Sequence, residues 1–188
     1  RLHRLRCILG LDAKNPAVVL PDADLAATIP ECIKGALSFN GQRCTALKIF
    51  FVHQAIVERF TAALCEAVSK LPQGMPWVPG TRLTPLVEPD KASRLNSYVR
   101  DAQAAGARLE NGAHGAPRLA YTAYQPAVLS GVTSAMRIYH EEQFGPLLPI
   151  VPIADVSQFT DYMLDTTYGQ QASLFGQDER TLGRLIDV

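Results

Sequence analysis

A chain of 188 residues is long enough for one domain with a sizeable core, and 47% hydrophobic with 19% charged residues is a globular balance. Eighteen Lys and Arg offset eighteen Asp and Glu, which gives no electrostatic reason to expect nucleic acid or an anionic membrane as partner. No apolar run approaches the roughly 18–20 residues that span a bilayer, and the basic start Arg1–Arg6 has neither the apolar stretch nor the small-residue site of a signal peptide.

In chain order, Ala17–Leu20 is a short apolar run between Pro16 and Pro21-Asp22 and predicts a buried strand. Thr28-Ile-Pro-Glu31 has the pattern of a capping box with proline in the first turn, so a helix is expected from there to about Phe39. Asn40-Gly41 suits a left-handed stop. Leu47–His53 is β-branched and aromatic, hence a strand, and residues 54–71 carry the apolar spacing of a second helix. Pro72–Pro89 is expected to be irregular, with a third helix over Lys91–Ala104 and a loop through Gly112–Gly115. Tyr121–Val132 reads as extended. Leu147–Ile153 is strand-like, but Pro149 and Pro152 favour an edge or bulged position. A helix over Asp155–Leu164, a strand over Gln171–Phe175 and a helix from Asp178 complete the chain. Alternation of this kind predicts an α/β fold, a mainly parallel twisted sheet flanked by helices, in one domain.

The four cysteines, Cys7, Cys32, Cys44 and Cys65, show no CxxC spacing and no metal-ligand cluster, so no metal is expected. Cys32 and Cys65 fall within apolar helical patterns, and the thiols read as reduced, in keeping with a cytoplasmic protein. Cys44 differs from them. It lies on a turn between a helix and a buried strand, beside Arg43, where a guanidinium favours the thiolate and the turn can present it at a cleft mouth. A thiolate attacks aldehydes, and a neighbouring backbone N–H can stabilise the oxyanion. The alternative is a packed thiol, as most unpaired cysteines are.

Gly41-Gln-Arg-Cys-Thr-Ala46 resembles the active-site segment of the aldehyde dehydrogenase superfamily. With Arg43, Thr45 and Lys48 it is most similar to the non-phosphorylating NADP-dependent glyceraldehyde-3-phosphate dehydrogenase branch. Lys14–Leu25, Glu141-Glu-Gln-Phe-Gly-Pro146 and Tyr168–Phe175 resemble further family segments in the same order. The resemblance implies that Cys44 forms a thiohemiacetal and then a thioester. It implies that Glu142 bonds the nicotinamide ribose of NADP or NAD, and that Phe144 packs near the nicotinamide ring. Without it, Glu142 reads as a solvated carboxylate and Phe144 as core. Arg43 matches a substrate-phosphate contact, against the plainer reading that it faces solvent or pairs with an acid.

The resemblance also implies a small-molecule aldehyde substrate and a parent protein that is a homo-oligomer. The chain would be the Cys-containing catalytic domain over residues 1–188, without most of the cofactor-binding and oligomerisation segments, and both ends read as cut. One departure stands out. The family usually has Glu-Leu-Gly-Gly-Lys where this chain has Gly10-Leu-Asp-Ala-Lys14, which puts Gly10 at the general-base position. Three readings stay open: Asp12 substitutes, coenzyme A takes the acyl group, or the protein is slow or inactive; the rival to an enzyme is a degenerate member kept as a binding or scaffolding subunit. His53 is expected at the surface or as a cap, His140 in a structural role rather than tuning the Glu141-Glu142 pair, Tyr121 and Tyr124 in packing rather than substrate contact, and Trp77 against another segment.

Overall fold

The computed structural model describes Arg6, residues 10–112 and residues 122–187. Cys7, Tyr121, the rest of the basic start and most of the expected Gly112–Gly115 loop lie outside them. Among the described residues, six strands form one sheet in the order β3-β4-β5-β2-β1-β6, with β1 at Pro16–Val19, β2 at Ile49–His53, β3 at Arg108–Leu109, β4 at Ala127–Ser130, β5 at Leu147–Ile153 and β6 at Ser173–Phe175. Only β3 is antiparallel to its neighbour; every other pairing is parallel. The predicted α/β class is the observed one.

Strands β1, β2, β4 and β5 are largely buried on both faces because helices cover both, while the end strands β3 and β6 are only partly covered. Helices α1 (Leu25–Leu37) and α2 (Val57–Ser69) pack against Ala17, Val19, Phe50, Val52, Val128 and Ile150. On the other face, α3 (Lys91–Ala104), α4 (Arg137–His140) and α5 (Ser157–Asp165) pack against Val18, Ile49, Phe51, Leu129 and Val151. The period-two alternation of β2 is therefore shared between two cores. Phe51 anchors the second of them, with ring centroids 4.7 Å from Tyr162 and 5.6 Å from Phe159. The last helix, α6 (Glu179–Ile186), is capped by Asp178, whose side chain accepts from Arg180 N.

Two expectations are corrected. Helix α1 begins earlier than Thr28: Asp24 is its cap, accepting from Ala26 N at 2.9 Å, and Thr28 N already bonds back to Asp24 O. Pro30 thus sits inside the helix, where it removes one backbone bond at a cost of about 3 kcal/mol. Burial of Ile29, Cys32, Ala36 and Leu37 offsets this.

The second correction is β5, which lies inside the sheet between β4 and β2 despite its two prolines. The phase of the ladder explains it. The Ile153 carbonyl accepts from Gln54 N on the β2 side, so Pro149, four residues earlier, has its ring nitrogen facing β2 at the level of Lys48 O. That carbonyl is satisfied instead by the Gln143 side-chain amide at 2.9 Å. Pro152 faces the other way, beyond the last β4 pairing at Leu129–Pro149. A side chain repairs one gap and a strand end removes the other.

Cys32 is fully buried on α1, and burial, then Glu31, push its thiol up to about 12. Between the ordinary value of 9.0 and about 12, the folded chain keeps a proton that the unfolded chain has released. Stability therefore falls as pH rises above about 9. At pH 10 the loss from this thiol is about 1 kcal/mol. Urea unfolding at pH 7.5 and 10 should show a drop larger by that amount in the unsubstituted chain than in Cys32→Ala; equal drops would refute it.

Candidate active site

The Cys44 turn begins where α1 stops. A 3₁₀ turn at Ser38–Gly41 follows the helix, and Phe39, Asn40 and Gly41 all take positive φ (53°, 57° and 71°). The left-handed stop expected at Asn40-Gly41 is present and one residue longer. Asn40 holds it in place: its amide donates to Thr84 O and Oγ1, and its carbonyl accepts from Thr84 N, all at 3.0 Å. The loop before Pro89, irregular as expected, is therefore the backing of the turn. Trp77 in that loop is 73% exposed.

Gly41 is needed for a different reason. A Cβ on it would lie 2.7 Å from Gly145 O and 2.8 Å from Ala36 O, both backbone atoms. The absence of a side chain lets the Cys44 turn touch the Glu142–Pro146 segment directly.

The turn itself is pinned by its carbonyls. Arg43 O accepts from Lys48 Nζ at 2.6 Å, Cys44 O and Ala46 O from Asn15 Nδ2 at 2.6 and 2.9 Å, and Thr45 O from Gln171 Nε2 at 2.7 Å. Four successive carbonyls are tied to three other side chains, while the Cys44 side chain is exposed. The Cys44 thiol is thus held on a fixed backbone at the surface and is not part of the packed core. Cys32, by contrast, is buried, and Cys65 is half-buried with its thiol also raised by burial and then Glu110.

Glu142 and Phe144 are brought to the same place through Lys48. The Lys48 side chain is 1% exposed; its Nζ lies 3.1 Å from Glu142 Oε1 and 5.2 Å from the Phe144 ring centre. Lys91 Nζ is also 5.2 Å from that ring, and Phe144 has φ 40°. Burial lowers the Lys48 ammonium, while Glu142 and then Cys44 act to raise it and Lys91 to lower it. Lys14 is buried too and lies well below the ordinary lysine value, chiefly through desolvation and then Lys48. Its Nζ donates to Glu141 O at 2.8 Å and to Gln143 Oε1 at 2.7 Å. Asn15, Lys14 and Gln143 were not singled out as site residues. Buried polar side chains beside strands leave no periodic signal; only their tertiary partners reveal them.

Arg43 is exposed. Its guanidinium donates to Thr45 Oγ1 at 2.9 Å and lies over the Phe39 ring at 5.4 Å, so it faces solvent in a held orientation. Asp12 and Gly10 are exposed, and a Cβ on Gly10 would meet nothing within 4 Å. The Tyr168 phenol is raised by burial first, then by Asp12, Glu142 and Glu141. The histidines take the structural places expected of them. His53 Nδ1 accepts from Ala55 N at 3.2 Å, and His140 Nε2 is 2.7 Å from Ser134 O. Tyr124 is buried and donates to Asn96.

Every group in this site precedes a strand: Lys14 and Asn15 precede β1, the Cys44 turn and Lys48 precede β2, Glu142–Phe144 precede β5, and Gln171 precedes β6. The site is built at the amino ends of the parallel strands, the opposite edge from the usual ligand crevice of open α/β sheets.

Comparison with known proteins agrees with this geometry. The aldehyde dehydrogenase family profile matches residues 3–187. A salicylaldehyde dehydrogenase from Pseudomonas sp. (strain C18) is 34% identical over 178 residues, covering 94% of this chain and 36% of its own length. The structure of succinate-semialdehyde dehydrogenase from Burkholderia pseudomallei superposes with a TM-score of 0.90 at 34% identity, over 95% of this chain and 37% of that one. An NADP-dependent glyceraldehyde-3-phosphate dehydrogenase from Bacillus halodurans C-125, complexed with NADP, gives 0.86 at 34% identity, over 94% and 36%. The chain thus spans little more than a third of the length of the relatives it matches. With an exposed cysteine on a pinned turn, the Glu-x-Phe-Gly-Pro segment docked against it and a match over nearly all its residues, the chain belongs to the aldehyde dehydrogenase family.

Proposed function

We propose that the whole protein oxidises an aldehyde with a nicotinamide dinucleotide through a thioester on Cys44, and that residues 1–188 form its catalytic domain. The observation that carries this reading is the exposed Cys44 on a turn held by Lys48, Asn15 and Gln171, with Glu142 and Phe144 against the same turn.

These residues fit the cofactor. Glu142 Oε1 is buried and ion-paired to Lys48, yet accepts no well-aligned hydrogen bond, so the carboxylate has acceptor capacity for a ribose hydroxyl. Phe144 offers an aromatic face beside it. Glu142 and Phe144 would hold the nicotinamide nucleoside, which when bound accepts a hydride from the aldehyde carbon. NADP is the favoured form because relatives at 32% and 34% identity carry it in their names.

The chain's own chemistry follows from the turn. The Cys44 thiolate attacks the aldehyde carbon, forming a C–S bond and placing negative charge on the former carbonyl oxygen. With the carbonyls of residues 43–46 drawn into the protein, backbone N–H groups of the turn are the available donors to that oxygen. Loss of hydride from that carbon leaves a thioester on Sγ, and water then adds, releasing the acid and the thiol.

That last step lacks the usual base, since position 10 is glycine. Asp12 is the nearest substitute in sequence, and its charge acts on the same Tyr168 phenol as that of Glu142. The second reading is that coenzyme A takes the acyl group, and the side-chain-free, open Gly10 favours it. Arg43, held over Phe39 with its guanidinium in solvent, suits an anionic substrate, and glyceraldehyde 3-phosphate is the favoured aldehyde. A cytoplasmic homo-oligomer is the expected setting.

The test uses the whole protein, mixed with NADP and glyceraldehyde 3-phosphate, succinate semialdehyde or salicylaldehyde, and quenched early for intact mass. An acyl adduct on Cys44 that persists in water and clears with coenzyme A identifies an acylating enzyme. In that case Gly10→Glu should speed turnover in water by about a hundredfold, the range of general-base assistance. Rapid turnover with no adduct identifies a working base, and Asp12→Asn should then slow it by a similar factor. No adduct and no reduced cofactor with any aldehyde sinks the proposal.

A further inference from the structure

Folding alone gives no reason for phenylalanine at position 39. Its φ of 53° lies in the left-handed region, where a bulky side chain is an outlier and where asparagine, present next to it as Asn40, is far better tolerated. Burial does not offset the strain, because the Phe39 side chain is 74% exposed. A strained aromatic facing solvent on the turn that carries Cys44 points to a use at that surface.

The neighbour of the ring shows the use. The Arg43 guanidinium lies over it, with Cζ 5.4 Å from the ring centre, and Arg43 Nη2 donates to Thr45 Oγ1 at 2.9 Å. Arg43 and Thr45 flank Cys44 in the chain, so the guanidinium is held across the position of the thiol. Among the described residues no carboxylate lies within ion-pair distance of Arg43. With one N–H group bonded to Thr45, most of the fork is left for an anion arriving from solvent. A guanidinium already stacked and bonded has less freedom to lose when that anion binds.

We propose that Phe39 is a specificity-determining residue, whose ring presets the Arg43 fork beside Cys44 for the anionic group of an aldehyde substrate, a phosphate or a carboxylate. Phe39 acts through Arg43 and is therefore a positioning residue. Its role rests on the reading of Arg43 as a substrate contact.

The readout is the ratio of kcat/KM for an anionic aldehyde to that for its neutral counterpart, in the whole protein with NADP. The pairs are glyceraldehyde 3-phosphate with glyceraldehyde and succinate semialdehyde with butanal, and the pair with the larger ratio names the anion. Arg43→Met should lower that ratio by about tenfold or more, the range for hydrogen bonds to a charged group. Phe39→Asn suits the left-handed backbone and removes the ring. It should lower the ratio by about twofold to fivefold, the range of an exposed cation–π contact, chiefly through KM. In the Arg43→Met background Phe39→Asn should lower it no further, because the ring has lost the group it holds. The urea midpoint of Phe39→Asn should be no lower than that of the unsubstituted protein. A ring that only packs predicts the reverse: a lower midpoint, both aldehydes of a pair affected alike, and the same effect with or without Arg43.

An unchanged ratio in Phe39→Asn, or an equal fall in the Arg43→Met background, overturns the role of Phe39 and leaves the Arg43 reading intact. If Phe39→Asn does not fold, Phe39→Leu, which keeps apolar bulk on the same backbone, decides by the same ratio. If neither pair shows a preference for the anion, or Arg43→Met leaves the ratio unchanged, the Arg43 reading falls and the role of Phe39 with it. If none of the four aldehydes is turned over, the proposed activity falls, and the specificity that serves it falls too.

Discussion

Replacing Cys44 by serine in the whole protein should lower aldehyde oxidation by about four powers of ten while leaving the fold unchanged. A hydroxyl at neutral pH is not a nucleophile unless a base removes its proton. The imidazoles of His53 and His140 are engaged with Ala55 N and Ser134 O, and Lys48 is committed to Arg43 O and Glu142. The Cys44 side chain is exposed and the turn is held through carbonyl oxygens, so one atom of sulfur exchanged for oxygen removes no packing. The unfolding free energy from urea titration should shift by no more than about 0.5 kcal/mol. Steady-state reduction of NADP, with the aldehyde that the quench experiment selects, gives the check. Retention of more than a tenth of the activity would mean that another group is the nucleophile.

Gly41→Ala should destabilise the fold by about 2–5 kcal/mol and reduce activity in whatever protein remains folded. Left-handed φ alone does not account for this, since Phe39 and Asn40 adopt it with side chains. The added methyl meets two backbone oxygens, Gly145 O at 2.7 Å and Ala36 O at 2.8 Å, which cannot move aside as a flexible side chain can. Overpacking of this kind costs about 1–3 kcal/mol, and the left-handed conformation adds about 1–2 kcal/mol for an L-residue. Relief requires the Cys44 turn to separate from the segment carrying Glu142 and Phe144, which is why activity and stability should fall together. Gly35→Ala is the control. There the near atoms are Cδ1 and Cγ of the Leu47 side chain, at 2.8 and 2.9 Å, which can rotate away. If Gly41→Ala is no worse than Gly35→Ala by urea unfolding, the close approach is not what selects glycine.

Much of this protein is legible in its residues taken in order. The apolar run at Ala17–Leu20, the aromatic and β-branched run into His53, and the helical spacing of Lys91–Ala104 each respond to local periodicity, and each forms the element expected. Cys44 stands out because its neighbours are a left-handed stop on one side and a buried strand on the other. The resemblance of Gly41–Ala46 and Glu141–Pro146 to one family is likewise carried by contiguous residues.

Local pattern fails where a bond comes from far along the chain. Two prolines argue against an interior strand, yet β5 is interior, because Gln143 supplies to Lys48 O the donor that Pro149 lacks. A capping box at Thr28 is outcompeted by Asp24, which caps the helix one turn earlier. Lys14, Asn15, Lys48, Gln143 and Gln171 look in sequence like ordinary polar residues next to strands. They become one site because parallel strands put their amino ends on a single edge of the sheet, so segments as distant in the chain as those of Asn15 and Gln171 meet around Cys44. Composition and periodicity determine that this chain folds as an α/β layer with a cysteine on a turn; which buried charges surround that turn is decided only by the strand order.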